Sequence, residues 1–199
     1  MLTGVFGLPG AGKTTLLCAL ADRAIAQKPL YIGHKPFWTM PLGEFQHYER
    51  VYCNFPMVGA YKLNFDHLGL FDFSRSLILI DEIATLANSR DWKSFDSHKV
   101  EFFAKHRHQK CDVIYCSQSY RNMDLTIREI TAQLLYIRKQ GEYTVVSPIT
   151  KGFKVEPSME EAYTLQARLY SSRFKRKKYY HLFDSYEHKE LPENPSESW

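Results

Sequence analysis

The chain has 199 residues, 44% hydrophobic and 24% charged, with a formal net charge of +4. That is the size of one α/β domain able to bury a real core, and the mild positive balance permits a nucleic-acid or anionic-membrane partner without demanding one. Cys18, Cys53, Cys111 and Cys116 lack C-x-x-C pairing and disulfide density, no run approaches ~18 apolar residues, and the N-terminus enters a strand-like segment directly; reduced thiols, a cytoplasmic location, no zinc site, no membrane span and no signal peptide are expected.

In chain order, Leu2 to Phe6 is a short apolar run suited to the first buried strand of a parallel sheet. Gly7-Leu8-Pro9-Gly10-Ala11-Gly12-Lys13-Thr14-Thr15 follows and fits G-x-x-x-x-G-K-[ST]. Its glycines allow successive backbone N–H groups to turn toward one concave point, where the N-terminus of the next helix adds its positive end. A triphosphate would sit there, with Lys13 on the β- and γ-phosphates and the Thr14 hydroxyl on Mg²⁺; Thr15 helps to start the helix. That helix is expected from Thr14 to Gln27, with Leu16, Leu17, Leu20, Ala21 and Ala24 inward and Pro29 ending it.

Leu30-Tyr31-Ile32 reads as a second strand, and 33–43, with Gly33, Pro36, Pro41 and Gly43, as an exposed loop. Arg50 to Phe55 alternates as a strand closed by Pro56. Between 57 and 75 the pattern is weak, apart from a single helical turn near Asp66-His67-Leu68-Gly69. Leu77-Ile78-Leu79-Ile80 is then a buried-strand run ending in two carboxylates, Asp81 and Glu82, the form of a Walker B motif. Asp81 would bind Mg²⁺, and Glu82 would orient or deprotonate the attacking water. The alternative is that both acids merely cap the helix that follows.

Residues 89–96 read as a polar loop and 95–108 as a helix through Val100, Phe103 and Ala104, finishing in Lys105-His106-Arg107-His108-Gln109-Lys110. A basic helix end suits the dipole; metal binding by His106 and His108 lacks a further nearby ligand. Asp112 to Cys116 is another buried strand. If it lies beside the strands of the two motifs, Gln118 is a candidate γ-phosphate sensor; otherwise it is an ordinary strand-end amide. Asp124 to Gln133 reads as a short helix capped by Asp124, Leu134 to Arg138 with Tyr143 to Val146 as a hairpin, and Ser158 to Arg173 as a helix. The basic run from Arg173 to Tyr180 could meet nucleic-acid phosphate or anionic lipid, or be a solvated helix end, and an acidic tail runs from Asp184 to Trp199.

The order of the phosphate loop, Leu77-Ile78-Leu79-Ile80-Asp81-Glu82, His106-Arg107-His108-Gln109, the strand ending in Ser117-Gln118, and Ile127-Arg128-Glu129 resembles the Zot-like family, the ATPase domain of zonula-occludens-toxin-type and filamentous-phage assembly proteins. The resemblance implies a RecA-like P-loop NTPase core related to FtsK/HerA motors: a mainly parallel sheet flanked by helices over 1–150, with a helical, basic then acidic extension over 151–199. It implies ATP hydrolysis that powers assembly and extrusion of single-stranded DNA phage in an inner-membrane complex, on the cytoplasmic face of an infected cell, through a span that this sequence lacks. It further implies a homo-oligomeric ring, possibly hexameric, in contact with phage coat or assembly proteins or viral DNA. Arg107 and Arg128 are the candidates for an arginine supplied in trans. Competing expectations are a soluble packaging motor, a small-molecule (nucleotide) kinase, and a nucleotide-gated scaffold without turnover.

Overall fold

The computed structural model describes residues 1–34, 37–45, 47–86, 97–118, 120, 125–155, 161–167 and 171–182. Nine strands among them form one sheet: β1 (Leu2–Phe6), β4 (Arg50–Cys53), β5 (Tyr61–Lys62), β6 (Ser76–Ile80), β7 (Asp112–Ser117), β8 (Gln133–Gln140), β9 (Tyr143–Val155), β10 (Glu161–Ala167) and β11 (Ser172–Lys175). Their order is β10-β9-β8-β1-β7-β6-β4-β5, with β11 also paired to β9. From β8 to β5 all pairings are parallel, while β9 runs antiparallel to β8, β10 and β11.

The sheet is buried on both faces because its strands alternate two apolar sets rather than one apolar and one polar. Val5, Leu77, Leu79, Ile114, Cys116, Ile137 and Val146 share one cluster with Leu16, Leu17, Leu20 and Ala24 of helix α1 (Lys13–Ile25). Leu2, Phe6, Ile78, Ile80, Val113, Tyr115 and Leu134 share the other with Phe102 and Phe103 of helix α3 (Ser97–Lys105) and Ile127 of helix α4 (Leu125–Ile130). The short helix α2 (Ile83–Leu86) leaves the end of β6. This is the expected RecA-like core, a mainly parallel sheet flanked by helices.

Asp112, inside an otherwise apolar strand, is fully buried at the start of β7, yet amply partnered. Its carboxylate accepts from the Tyr48 hydroxyl at 2.5 Å, the Glu44 N–H at 2.6 Å, the Phe45 N–H at 3.3 Å and the Met1 ammonium. A buried carboxylate is tolerable only when so satisfied. It ties the connection before β4 to the end of the sheet remote from the phosphate loop.

Several expectations are corrected. The supposed loop over 33–43 contains most of a hairpin: β2 (Tyr31–His34) pairs antiparallel with β3 (Phe37–Pro41) in a separate two-stranded sheet, so Leu30-Tyr31-Ile32 does not add a strand to the main one. Glycine and proline mislead there because Pro41 stands at the end of β3, where a missing N–H is tolerated. Where the expected helix over Ser158 to Arg173 is described, it is strand instead: β10 over Glu161–Ala167 and the start of β11. β9 continues to Val155 and offers ladder edges that β10 and β11 fill, and β11 alternates buried and exposed residues with the period of a strand. Tertiary pairing overrides local propensity. The basic run from Arg173 to Tyr180 begins in β11 and continues in a 3-10 segment, Arg176–Leu182; Arg173, Lys175, Lys177 and Lys178 are exposed, but Arg176 is buried rather than solvated. The helical turn near Asp66 is a 3-10 turn over Phe65–His67, capped by the Asn64 side chain. The expected loop over 89–96 and the Asp124 cap lie outside the described residues.

Close packing between β1 and β7 supplies a test. A Cβ on Gly4 would lie 2.6 Å from the hydroxyl oxygen of Tyr115. That ring cannot swing away, because it is fully buried and its hydroxyl pairs with Thr131 at 2.6 Å. Gly4→Ala is expected to lower stability by about 1–3 kcal/mol in urea unfolding followed by circular dichroism.

Candidate nucleotide site at the strand ends

Register brings the carboxyl ends of four strands to one edge. Phe6 of β1 is level with Ser117 of β7, Ile80 of β6 with Tyr115 of β7, and Cys53 of β4 with Leu79 of β6. β7 therefore lies between the strand that feeds the phosphate loop and the strand that ends in the two acids, as the Gln118 reading required. The open edge of a parallel sheet is where such folds bind ligands.

The loop turns through glycine conformations. Gly10 has φ 72° and Gly12 φ 97°, in the region other residues avoid, and Gly12 leads directly into α1. Leu8, Pro9 and Gly10 are exposed at the tip, whereas Gly7, Ala11, Lys13 and Thr15 are buried beneath it. The Lys13 ammonium donates to the carbonyls of Gly7 at 2.9 Å and Leu8 at 3.3 Å. These neutral acceptors hold it over the loop, and an anion at the loop would compete for it with a charge-assisted bond.

The Thr14 hydroxyl donates to a carboxylate oxygen of Asp81 at 2.5 Å, joining α1 to the end of β6. Thr14 and Asp81 offer oxygen donors alone, the hard-ligand chemistry that Mg²⁺ takes together with water and phosphate. Among the described residues no cluster of three or more His, Cys, Asp or Glu could hold a metal by itself. The buried His106 ring donates from Nδ1 to the Phe103 carbonyl at 2.7 Å, and burial depresses its pKa.

Burial raises the Asp81 pKa, an effect that Thr14 and Lys13 oppose. Burial likewise pushes the Cys18 thiol behind it up to about 12, so that thiol stays neutral. The Asp81 backbone is clamped by a residue that the sequence reading missed. Asn54, just past β4, accepts from the Asp81 N–H at 2.7 Å and donates to the Asp81 carbonyl at 2.8 Å. The available signal was a polar amide directly after an apolar strand, at the same edge as the acids.

Glu82 stands in left-handed backbone at φ 51°, costly for a residue with a side chain, by about 1–2 kcal/mol. Its carboxylate accepts from the Ser117 hydroxyl and the Gln118 N–H, each at 3.3 Å. Gln118 thus reaches the acid through its backbone, with its side chain exposed, and Ser117 is a second group not anticipated. Asp81 and Glu82 are no mere helix cap: one turns to α1, the other to β7.

The two arginines lie at different ends of the strands. Arg107 is in the 3-10 turn before β7, at the opposite end of the strands, roughly 20 Å away by strand rise, and pairs with Glu44 at 2.6 Å. Arg128 on α4 places its guanidinium 5.6 Å from the centre of the Tyr120 ring, which packs edge-on against Phe6.

The raised Asp81 pKa carries a sign. An acid whose pKa is higher folded than unfolded costs stability above the raised value, and that cost vanishes below the ordinary value of 3.8. Nucleotide-free Asp81→Asn should therefore be more stable than the parent at pH 7, by ~0.5–2 kcal/mol. The gain should shrink as pH falls toward 4, as read by thermal melts at both pH values.

A family model described as zonular occludens toxin (Zot) matches residues 62–188. This span begins after the phosphate loop and includes Asp81, Glu82, Arg107, Gln118 and Arg128. Among solved structures, the N-terminal domain of zonular occludens toxin from Neisseria meningitidis is similar with a TM-score of 0.54 and 16% identity, over 92% of this chain and 99% of that one. The genome packaging NTPase B204 of Sulfolobus turreted icosahedral virus 2, in complex with sulfate, aligns with a TM-score of 0.46 and 7% identity, over 81% of this chain and 94% of that one. No curated protein sequence matches the chain. Matched over more than half its length by the family model, the chain belongs to the Zot family.

Proposed function

We propose that the chain is a Mg²⁺-dependent ATP hydrolase whose turnover drives assembly and extrusion of a single-stranded DNA phage. One observation carries the hydrolase part: the Thr14 hydroxyl and the Asp81 carboxylate meet at 2.5 Å beside the phosphate loop, with Glu82 next in sequence turned toward β7. On this reading Gly7 to Thr15 cradle the triphosphate, Lys13 exchanges its carbonyl partners for phosphate oxygens, and Thr14 and Asp81 hold Mg²⁺. The ion would neutralise charge on the β- and γ-phosphates.

Glu82 then acts on water. Its carboxylate accepts from Ser117 and Gln118 and so has a fixed orientation, and a carboxylate with a lone pair to spare can align or deprotonate a water facing the γ-phosphate. Gln118 senses the same phosphate. Because Arg107 stands at the far end of its own sheet, it can serve a site only from a neighbouring subunit, and Arg128 is the second candidate for that role. A homo-oligomeric ring follows from either assignment. Phage assembly, contact with coat protein or viral DNA, and work at the cytoplasmic face of an inner membrane rest on membership of the Zot family. No helix among the described residues is long and apolar enough to cross a membrane.

Steady-state phosphate release with Mg²⁺ and ATP tests the hydrolase. Glu82→Gln should lower turnover ~10²-fold or more while nucleotide still binds, and Lys13→Ala should abolish binding. Chelating Mg²⁺ should stop the reaction. Unchanged turnover in Glu82→Gln would favour a nucleotide-gated scaffold, and phosphate transfer to a nucleoside monophosphate would make the chain a kinase.

A further inference from the structure

The phosphate loop has a rear support outside the motif. Thr144, buried on β9, donates its hydroxyl to the Ala11 carbonyl at 2.9 Å. The Ala11 carbonyl and the Gly12 N–H belong to one planar trans peptide and point in opposite directions. Drawing the carbonyl back onto Thr144 therefore turns the Gly12 N–H outward, to the concave side where an anion would lie.

Thr144 is itself held. Buried Arg176 donates through Nη1 to the Tyr143 carbonyl at 2.7 Å and through Nη2 to the Gly141 carbonyl, and its own N–H donates to the Glu142 carbonyl at 3.1 Å. The turn between β8 and β9 is locked just before Thr144. Arg176 reaches the loop as well: a Cβ on Gly12 would meet its Cδ at 3.1 Å and the Thr144 hydroxyl oxygen at 2.4 Å. The glycine at position 12 is thus required twice, by its φ and by the two side chains packed behind it.

We propose that Thr144, anchored by Arg176, is a positioning residue that aims the Gly12 N–H at the bound phosphate. Resting on the nucleotide-site reading above, it adds that the antiparallel strands and the segment after β11 belong to the phosphate-binding apparatus. A shift of those strands reaches the loop through the Thr144 hydroxyl and through the Arg176 stem packed behind Gly12.

The test is titration with a fluorescent ADP analogue, alongside thermal melts without nucleotide. Thr144→Val keeps the shape and removes the donor; it should weaken affinity roughly 3- to 10-fold and, because the buried Ala11 carbonyl is left unpaired, lower the melting temperature by a few degrees. Thr144→Ser should recover most of that affinity. If Thr144→Val does not fold, Thr144→Ala takes its place. Affinity equal to the parent's in the variant lacking the hydroxyl, or lost equally in Thr144→Ser, overturns the proposal while leaving the nucleotide site intact. A parent protein that fails to bind the analogue removes the nucleotide site itself, and this proposal with it.

Discussion

The Thr14–Asp81 hydrogen bond spans 67 positions of sequence and is the contact on which the site depends. It forms because β7 is inserted between β1 and β6, its end level with that of β1 and two residues past that of β6, so that the first turn of α1 and the end of β6 approach across one strand. A slip of one residue in either pairing would turn every side chain of the strand to the opposite face. The two apolar sets of each strand forbid that slip, since exchanging them would misplace Val113 and Tyr115 against α1, and Ile114 and Cys116 against α3. Core packing thus sets the position of the polar groups at the edge.

Those groups are held at some cost. Asp81 is buried enough for its charged form to be disfavoured, and Glu82 adopts backbone that other residues avoid. Both strains fall on adjacent residues at the strand ends, and the surroundings maintain them: Asn54 grips the Asp81 backbone from both sides, while Ser117 and Gln118 receive Glu82. Strain of this kind concentrates where a protein must present a charge to a ligand, and it persists because neighbouring structure over-determines it. The Lys13 ammonium shows the same economy, resting on loop carbonyls that a phosphate can replace.

Much of this was legible in the sequence because it is local. The glycines and lysine of the loop, the strand run before Asp81 and Glu82, and the strand before Gln118 each announce themselves within ten residues. What escaped depends on contacts far apart in the chain. Asn54 becomes informative only when β4 is known to lie beside β6, and Ser117 only when Glu82 turns toward it. Ser158 to Arg173 looked helical because nothing within it reveals that β9 continues to Val155 and leaves edges to fill. Arg176 looked like one more charge in a solvated run, though its guanidinium is buried against carbonyls of the turn between β8 and β9. Such backbone acceptors have no signature in the sequence.

The most direct measurement is an electron paramagnetic resonance titration of Mn²⁺, standing in for Mg²⁺, with a non-hydrolysable ATP analogue present. If Thr14 and Asp81 form the metal-nucleotide site, the parent takes up Mn²⁺ only together with the analogue, and Asp81→Ala and Thr14→Ala both lose the bound signal while remaining folded. Equal uptake by the parent and both variants would contradict the site.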